Sequence, residues 1–311
     1  MSKPGEKNPN LIELGHRLLK DGPVKALGTR RRVRILYNGA WVADTTSAVY
    51  VWEHPYYPYY YVPRRDFIEG CLVATLSPPS SSSRVNRASH ERGFEILELE
   101  VGDRSTNRVL AFLGQEEPRE GWEGDEKWVA TEGKGGIGLL RDAVRVEFGA
   151  ADGWFEEDTP IAVHPKDPFR RVDVVHSMRP VRVLVEGVEV ARSASSYHLY
   201  ETGLPRRFYL PPTSVVDWAL LQPSSTRTQC PYKGEAEYYD VVIKKKKSEE
   251  KGEGRGETRE EEVVYDRDLV WYYRTPITAC AMIAGCLCFY NEKVDIELDG
   301  KLLARPRTHF V

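Results

Sequence analysis

Residues 33–63 read "VRILYNGAWVADTTSAVYVWEHPYYPYYYVP", and residues 181–211 read "VRVLVEGVEVARSASSYHLYETGLPRRFYLP". The two stretches align without a gap at an offset of 148 residues, and ten of the 31 aligned positions are identical. Similar segments this far apart indicate a duplicated domain, because the units of a solenoid repeat at a shorter period. The sequence therefore predicts two tandem copies of one small domain.

Each copy carries the pattern of short β-strands. In "VRVLVEGVEVA" (181–191), apolar and polar residues alternate on both sides of Glu186 and Gly187, which is typical of a β-hairpin. One amphipathic helix is predicted at residues 10–22, with Asn10 as its N-cap and Gly22 as its stop. Many short strands and few helices favour a mainly β fold made of antiparallel sheets.

The pattern also divides the chain into segments. The predicted segments are an N-terminal extension with the short helix (1–29), a first domain (30–178) and a second domain (179–311). We expect the two domains to pack as an intramolecular pseudo-dimer. We interpret "VDVV" (172–175) as the end of the first copy and "KVDIELDG" (293–300) as the end of the second. The charged segment 244–262 has no apolar residue and predicts a solvated, disordered loop.

Composition excludes several classes of protein. The 311 residues are 41% hydrophobic and 29% charged, with a formal net charge of -3. This charge balance lacks the basic surplus of proteins that bind nucleic acid or anionic membranes. The N-terminus has no apolar core typical of a signal peptide, and the apolar run 277–290 is shorter than the roughly 20 residues that span a bilayer. We therefore expect a cytoplasmic protein without a nucleic-acid or membrane partner.

The five cysteines form no Cys-x-x-Cys pair. Cys286 and Cys288 share one face of a predicted strand, but a structural zinc site needs four ligands. We interpret them as reduced, buried, apolar side chains and expect no metal. The sequence specifies no cofactor, because it contains neither a Walker-type phosphate loop nor a Gly-x-Ser-x-Gly elbow.

The segment "CPYKG" (230–234) combines a turn with reactive side chains. Pro231 and Gly234 are typical of a β-turn. A thiol close to an ammonium group is activated as a nucleophile, so Cys230 and Lys233 form a candidate catalytic pair. Lys233 and the backbone of Gly234 also suit an anionic ligand. The alternative is that the segment is only the turn that precedes a strand.

The segment "YETGLPRRFYLP" (200–211) is the second candidate site. Arg207 and Tyr209 alternate on one strand face and could hold an anion against an aromatic ring. Glu201 matches Glu53 of the first copy, so it is either part of a site or the partner of a structural arginine. Tyr59 stands where the second copy has Arg207, so an anion site there would be lost from the first copy.

Two further features favour a structural interpretation. Asp295 and Glu297 share a strand face and could hold a magnesium ion, but alternating acids on a solvated strand are much commoner. The aromatic run at 52–63 could line a pocket or a partner surface, yet packing in the core or between domains is the favoured interpretation.

The chain resembles a known family through the pattern "GLPRRFYLP…LQPSSTRTQCPYKGEAEYYDV…VWYYRTP…IAGCLCFYNEKVDIELDG". It resembles tandem DUF427 proteins over residues 33–300. The resemblance implies a fold similar to the Mss4-like or β-tent class, and the family is also catalogued as a nucleotidyl transferase domain. The first copy departs from the motif, because "SHERGFEIL" (89–97) has Ser89, Arg92 and Gly93 where the second has Cys230, Lys233 and Gly234.

Two hypotheses for function follow. The first is that the second domain binds a small anionic molecule, such as a nucleotide. Its candidate residues are Lys233, Gly234 and Arg207 for the charge, Tyr209, Tyr238 and Trp271 for the walls, and Cys230 and Glu201 for chemistry. The second hypothesis is a non-catalytic module for protein interaction or self-association. A concave cluster of Lys233, Arg207 and Glu201 would favour the first hypothesis, and an exposed aromatic run would favour the second.

Overall fold

A computed structural model describes residues 10–74, 93–114, 131–246 and 260–308, with only the backbone described at 244–246 and 260–266. The chain divides into two compact units, Ser2–Asp167 and Pro168–Val311, called the first and second domain below. Both are mainly β, with antiparallel sheets and few helices, which confirms the predicted fold class. No helix in the described residues has both the length and the apolar character needed to cross a membrane.

The first domain contains a seven-stranded and a four-stranded sheet in its described residues. Its helices and strands are α1 (Leu11–Asp21), β1 (Lys25–Gly28), β2 (Val33–Tyr37), β3 (Ala40–Thr45), β4 (Val49–Trp52), β5 (Tyr59–Pro63), β6 (Leu72–Ala74), β7 (Phe94–Val101), β8 (Arg104–Phe112), β9 (Ala143–Val146), β10 (Gly153–Glu156) and β11 (Thr159–Ile161). Short 3₁₀ segments lie at Arg64–Asp66, Gly133–Leu140 and Phe148–Ala150. The strand orders are β1-β4-β5-β9-β8-β7-β6 and β11-β10-β2-β3.

The second domain repeats this arrangement. Its strands are β12 (Val172–Ser177), β13 (Val181–Val185), β14 (Val188–Ser193), β15 (Ser196–Glu201), β16 (Arg207–Leu210), β17 (Leu221–Cys230), β18 (Gly234–Lys246), β19 (Glu260–Tyr272), β20 (Leu287–Phe289), β21 (Asp295–Leu298) and β22 (Lys301–Leu302). Short 3₁₀ segments lie at Pro212–Ser214, Trp218–Leu220 and Thr278–Ile283. The orders β12-β15-β16-β20-β19-β18-β17 and β14-β13-β21-β22 match the first domain strand for strand. The duplication seen in the sequence is therefore a duplication of topology.

The hairpin predicted in the second copy forms, and the first copy has an equivalent hairpin. Asn38 and Gly39 join β2 to β3 with φ angles of 47° and 74°, and Glu186 and Gly187 join β13 to β14 with φ angles of 50° and 78°. Two successive residues with positive φ are characteristic of the type I′ turn, whose twist matches that of paired strands. Glycine at the second position adopts this conformation without steric cost.

Each domain has one core between its two sheets and a second on the outer face of the seven-stranded sheet. In the first domain this outer face is covered by α1, whose Leu14 and Leu18 pack with Phe112 and Leu140. The helix begins as predicted, since the Asn10 side chain accepts backbone N–H groups of the first turn. In the second domain, the outer face is covered by the segment Thr278–Ile283. The two equivalent faces therefore have different covers.

Three predictions about segments are corrected. Residues 172–175 do not close the first copy, because β12 pairs with β15 of the second domain and β10 takes the closing position beside β2. The first sheet also starts before residue 30, since β1 pairs with β4. The charged segment 244–262 is partly strand, because its ends pair as Lys244 with Glu262 and Lys246 with Glu260. Residues 247–259 lie outside the described part.

Candidate functional site

The "CPYKG" segment is a tight turn between β17 and β18, as predicted. The backbone N–H of Lys233 donates to the carbonyl oxygen of Cys230 at 3.3 Å. Gly234 has a φ of 107°, and a Cβ there would lie 3.4 Å from the carbonyl oxygen of Thr275. Glycine is required by this conformation, which is rare for residues with a side chain. The turn thus fixes Cys230 and Lys233 on the same side of the hairpin end.

Lys233 is a buried cation with a bonded partner. Its side chain is only 10% exposed, and Nζ donates to Oε2 of Glu201 at 2.5 Å. The same nitrogen lies 3.8 Å from Sγ of Cys230. Burial alone would lower the pKa of Lys233, but the electrostatic interactions with Cys230 and Glu201 raise it above its ordinary value. Lys233 therefore remains an ammonium group.

Glu201 is the acidic centre of this cluster. It lies at the end of β15, where its side chain is 7% exposed. Besides Lys233, the guanidinium of Arg170 lies 3.6 Å from Oε1 of Glu201. A buried carboxylate needs such partners, because an unpaired charge out of water is very costly. The structure thus joins Glu201 to Lys233, which lies 32 positions later in the chain, and through it to Cys230.

These three residues are in the lining of a partly open cleft in the second domain, with a volume of about 190 Å³. The aromatic side chains that form its walls are Tyr209, Tyr238, Trp271, Tyr273 and Tyr290. We call this space the second-domain cleft. It brings together every candidate site residue of the sequence except Gly234, which belongs to the turn behind it.

The walls of the second-domain cleft are held by hydrogen bonds among the rings. The indole Nε1 of Trp271 donates to the hydroxyl of Tyr209 at 3.1 Å, and the hydroxyls of Tyr238 and Thr228 are 2.6 Å apart. Burial raises the pKa of Tyr209 well above its ordinary value, so its hydroxyl stays neutral. The aromatic lining is therefore uncharged and contains hydrogen bonds between its side chains.

For Arg207, the anion-binding role expected from the sequence stays a prediction. It lines the cleft, but its two terminal nitrogens donate to the two carboxylate oxygens of Glu292 at 2.5 and 2.6 Å, and it also bonds Asn291. Its guanidinium lies over the ring of Trp271, 5.4 Å from the centroid. Burial would raise the pKa of Glu292, but the bonds from Arg207 lower it. Arg207 is thus a wall residue whose charge is balanced.

Several residues of the cleft were missing from the sequence hypothesis. Tyr273 was within reach of sequence reasoning, since it lies two positions after Trp271 and alternate residues of a strand share a face. Leu199 stands in the same relation to Glu201. Arg170 and Glu292 carry no comparable signal, because their partners lie 31 and 85 positions away in the chain.

In the first domain, the glutamate that matches Glu201 has a different charge partner. Glu53 is buried, and its Oε1 accepts Nε of Arg145 at 2.5 Å and the hydroxyl of Tyr61 at 3.0 Å. The register of β9 and β20 places Arg145 at the position that Cys288 has in the second domain. The guanidinium of Arg145 also lies over the ring of Tyr59, 4.7 Å from its centroid. Arginine thus fills this part of the first domain.

The structure describes only part of the segment in which the first copy departs from the "CPYKG" motif. Ser89 and Arg92 lie outside the described residues. Gly93 has a φ of 88° and directly precedes β7, as Gly234 starts β18. The glycine of the turn is therefore matched in conformation in both copies.

The carboxylates considered for magnesium pair with arginine instead. Asp295 lies 2.8 Å from Arg305, and Glu297 lies 2.5 Å from Arg182. Over the described ranges, no group of three or more histidine, cysteine, aspartate or glutamate residues is arranged to hold a metal ion. This supports the interpretation of Asp295 and Glu297 as residues of a solvated strand.

The fold and the cleft define a protein of two similar β domains, of which the second carries a lined cavity. The chain matches the family described as "Domain of unknown function (DUF427)" over residues 25–83 and 173–300. It belongs to this family and contains the domain in tandem. No curated protein matches the chain. The likeness to the Mss4-like or β-tent class remains a prediction.

Proposed function

We propose that the second domain binds a small organic molecule in the second-domain cleft, with an oxygen of the ligand accepting a hydrogen bond from Lys233. The observation that carries the proposal is a buried ammonium in the lining of an aromatic-walled cavity. Ligand sites in proteins typically combine mostly apolar walls with a few convergent polar groups. The second-domain cleft has this composition.

The volume of the cleft limits the size of the ligand. At about 190 Å³, it is slightly larger than the roughly 150 Å³ cavity that accommodates benzene. It is smaller than the roughly 300–1,000 Å³ of most drug-sized ligand sites. We therefore favour a molecule of about one ring over the nucleotide that the sequence suggested.

The charges of the cleft limit the charge of the ligand. Lys233 and Arg207 each have a carboxylate partner, Glu201 and Glu292. A polyanion would have to compete with both carboxylates and lose the benefit of existing pairs. An ammonium has three donor hydrogens, so Lys233 can bond one more acceptor beside Glu201 and Cys230. A neutral carbonyl compound or a monocarboxylate meets these conditions.

The aromatic run at 52–63 gives less support to the alternative of an interaction module. Trp52, Tyr60 and Tyr61 of this run are buried in the first domain, and Tyr56 is 46% exposed. A partner surface would need a contiguous patch of exposed apolar side chains. The run instead serves mainly as core.

Fluorescence of Trp271 tests the proposal. Benzoate, benzamide and AMP are titrated against the whole protein, with Trp271→Phe to identify the signal. We expect benzoate or benzamide to saturate the signal and AMP to bind at least about tenfold more weakly. A ligand at about 100 times its Kd should also add roughly 2.7 kcal/mol to the free energy of unfolding, which raises Tm by several degrees.

Matched lysine variants locate the ligand. Lys233→Met should weaken binding by about tenfold or more, since the acceptor oxygen loses its charged donor. Lys301→Met, at an exposed position of β22, should leave binding unchanged. Equal affinity in both variants, or AMP binding more tightly than the single-ring compounds, would contradict the proposed site.

A further inference from the structure

Cys230 differs from the other four cysteines of the chain in its access to solvent. Cys71, Cys280, Cys286 and Cys288 are all buried, whereas Cys230 is half-buried and lines the second-domain cleft. Burial raises the pKa of Cys71 and Cys286, and it raises that of Cys288 to about 12. These thiols stay protonated and shielded. Cys230 is thus the one thiol that a ligand in the cleft can reach.

The ammonium of Lys233 supplies the electrostatic environment for a reaction at this sulfur. It lies 3.8 Å from Sγ and is held in place by Glu201. A fixed cation at this distance stabilises negative charge on sulfur and on an oxyanion that forms next to it. Because Lys233 stays protonated, its own amine is not the nucleophile.

We infer that Cys230 is a nucleophile that accepts an acyl group from a small activated ester or thioester bound in the second-domain cleft. The inference rests on the proposed function, because the acyl compound must first occupy the cleft. The rings of Tyr209, Tyr238 and Trp271 surround the space beside Cys230. They suit an acyl group that is apolar or contains one ring.

The reaction proceeds by nucleophilic acyl substitution. The Cys230 thiol releases its proton to water, and the sulfur attacks the carbonyl carbon, forming a C–S bond. The carbonyl π electrons move to oxygen, where the ammonium of Lys233 stabilises the oxyanion. The oxyanion then collapses and breaks the bond to the leaving group, which departs with the electron pair as an alkoxide or thiolate and takes a proton from water. Hydrolysis of the thioester releases the carboxylic acid and restores the thiol.

p-Nitrophenyl acetate is a suitable probe, because its leaving group is coloured. Wild-type protein should release a burst of about one equivalent of p-nitrophenolate per chain, and mass spectrometry should locate the acetyl group on Cys230. Cys230→Ala should abolish the burst. Lys233→Met should slow it by about tenfold or more, and Lys233→Arg, which keeps the charge, should slow it less.

The controls separate this inference from the proposed function. Cys71→Ala, in the first domain, should give the wild-type burst. A burst that persists in Cys230→Ala, or acetyl groups on other residues, would overturn the inference. An unchanged rate in Lys233→Met would remove the role of the ammonium. If the wild type gives no burst but still binds benzoate, the inference fails and the proposed function stands. If it does neither, both fail.

Discussion

The glutamates at the matched repeat position, Glu53 and Glu201, are neutralised from different directions. In the first domain the cation is Arg145, which comes from the centre of the sheet on β9. In the second domain it is Lys233, which comes from the turn between β17 and β18. Both carboxylates are buried and need a partner. Each domain therefore has a buried glutamate at this position, but the cation that pairs with it comes from a different part of the fold.

The two domains differ in the length of the side chain at the position of Arg145. Arg145 places a long side chain on the outer face of the first sheet, and the helix α1 covers that face. The second domain has the short side chain of Cys288 at the position equivalent to Arg145. The residues paired with Cys288 across the sheet, Tyr209 and Trp271, are two of the rings that line the second-domain cleft. A structural ion pair and a lined cleft are thus two outcomes of one topology.

The largest effect should follow loss of the first-domain cation. Arg145→Met leaves Glu53 buried without its charge partner, which should cost about 3–5 kcal/mol of unfolding free energy. Lys233→Met should cost less, about 1–3 kcal/mol, because the cleft is partly open and Arg170 remains near Glu201. Hydrogen exchange of β5 and β16 amides measures each domain separately.

A matched control is Arg64→Met, since Arg64 pairs with Glu95 at the surface and its side chain is 39% exposed. Its cost should be at most about 1 kcal/mol. Equal costs for Arg145→Met and Lys233→Met would show that the two ion pairs are equivalent, and the contrast between the domains would not hold.

The second prediction converts the second domain toward the first. Cys288→Arg combined with Lys233→Met moves the cation from the turn to the central strand. The longer side chain should reach Glu201 and fill the cleft, so affinity for benzoate should fall by about a hundredfold, or roughly 2.7 kcal/mol. Titration of Trp271 fluorescence measures the loss, and circular dichroism verifies the fold. Unchanged affinity would mean that the ligand binds elsewhere.

The architecture was accessible from the sequence because local signals repeat. The aligned stretches predicted the duplication, and the pair Glu186–Gly187 predicted the hairpin of the second copy. The strand β12 was assigned to the wrong copy, because it lies upstream of the aligned stretch and its counterpart β1 has a different sequence. Similarity between copies locates only those strands that still resemble each other.

Part of the candidate site could also be predicted from the sequence, because some of its residues carry local signals. Glu201 and the turn at Lys233 were marked by the repeat and by a motif, but their contact is a property of the folded sheet. The ion pair of Arg207 was not visible in the sequence, because its partner, Glu292, lies 85 positions away. Arg145 went unnoticed, although a lone charge in the apolar strand "AVRV" indicates a buried partner. A single sequence does not reveal which charged residues pair when they lie far apart in the chain.

A third prediction concerns acid. His198 stands where the first domain has Tyr50, and burial, with the charges of Arg206 and Arg179, lowers its pKa from 6.5 to about 4, while Asp299 acts weakly in the opposite sense. A depressed pKa gives stability that is present above 6.5 and lost as pH falls toward 4. His198→Phe should abolish this loss, which amounts to at most about 3 kcal/mol.

Urea unfolding at pH 7 and pH 5 measures the difference between His198→Phe and the wild type. His176→Phe, at an exposed position on β12, is the control and should retain the acid sensitivity of the wild type. If both variants lose stability equally between pH 7 and pH 5, the neutral state of His198 is not what makes the second domain sensitive to acid.

The smallest expected effect tests how α1 packs on the outer face of the first domain's seven-stranded sheet. Gly15 lies on the inner side of α1, and a Cβ there would meet the ring of Phe94 at 2.6 Å. Gly→Ala in a helix normally stabilises by up to about 1 kcal/mol. Gly15→Ala should instead cost about 1–3 kcal/mol, because the ring must move within a packed core. Urea unfolding measures the change.

Whether Gly15→Ala lowers or raises stability shows whether α1 packs closely against the sheet or only covers it. Lys20→Ala, at an exposed position of α1, should change stability by only a few tenths of a kcal/mol. Phe94→Leu should relieve the clash, so Gly15→Ala should cost less in that background than in the wild type. If Gly15→Ala stabilises the protein, α1 rests loosely on the sheet. The outer face of the first domain would then be filled beside Glu53 by Arg145, without a closely packed helix.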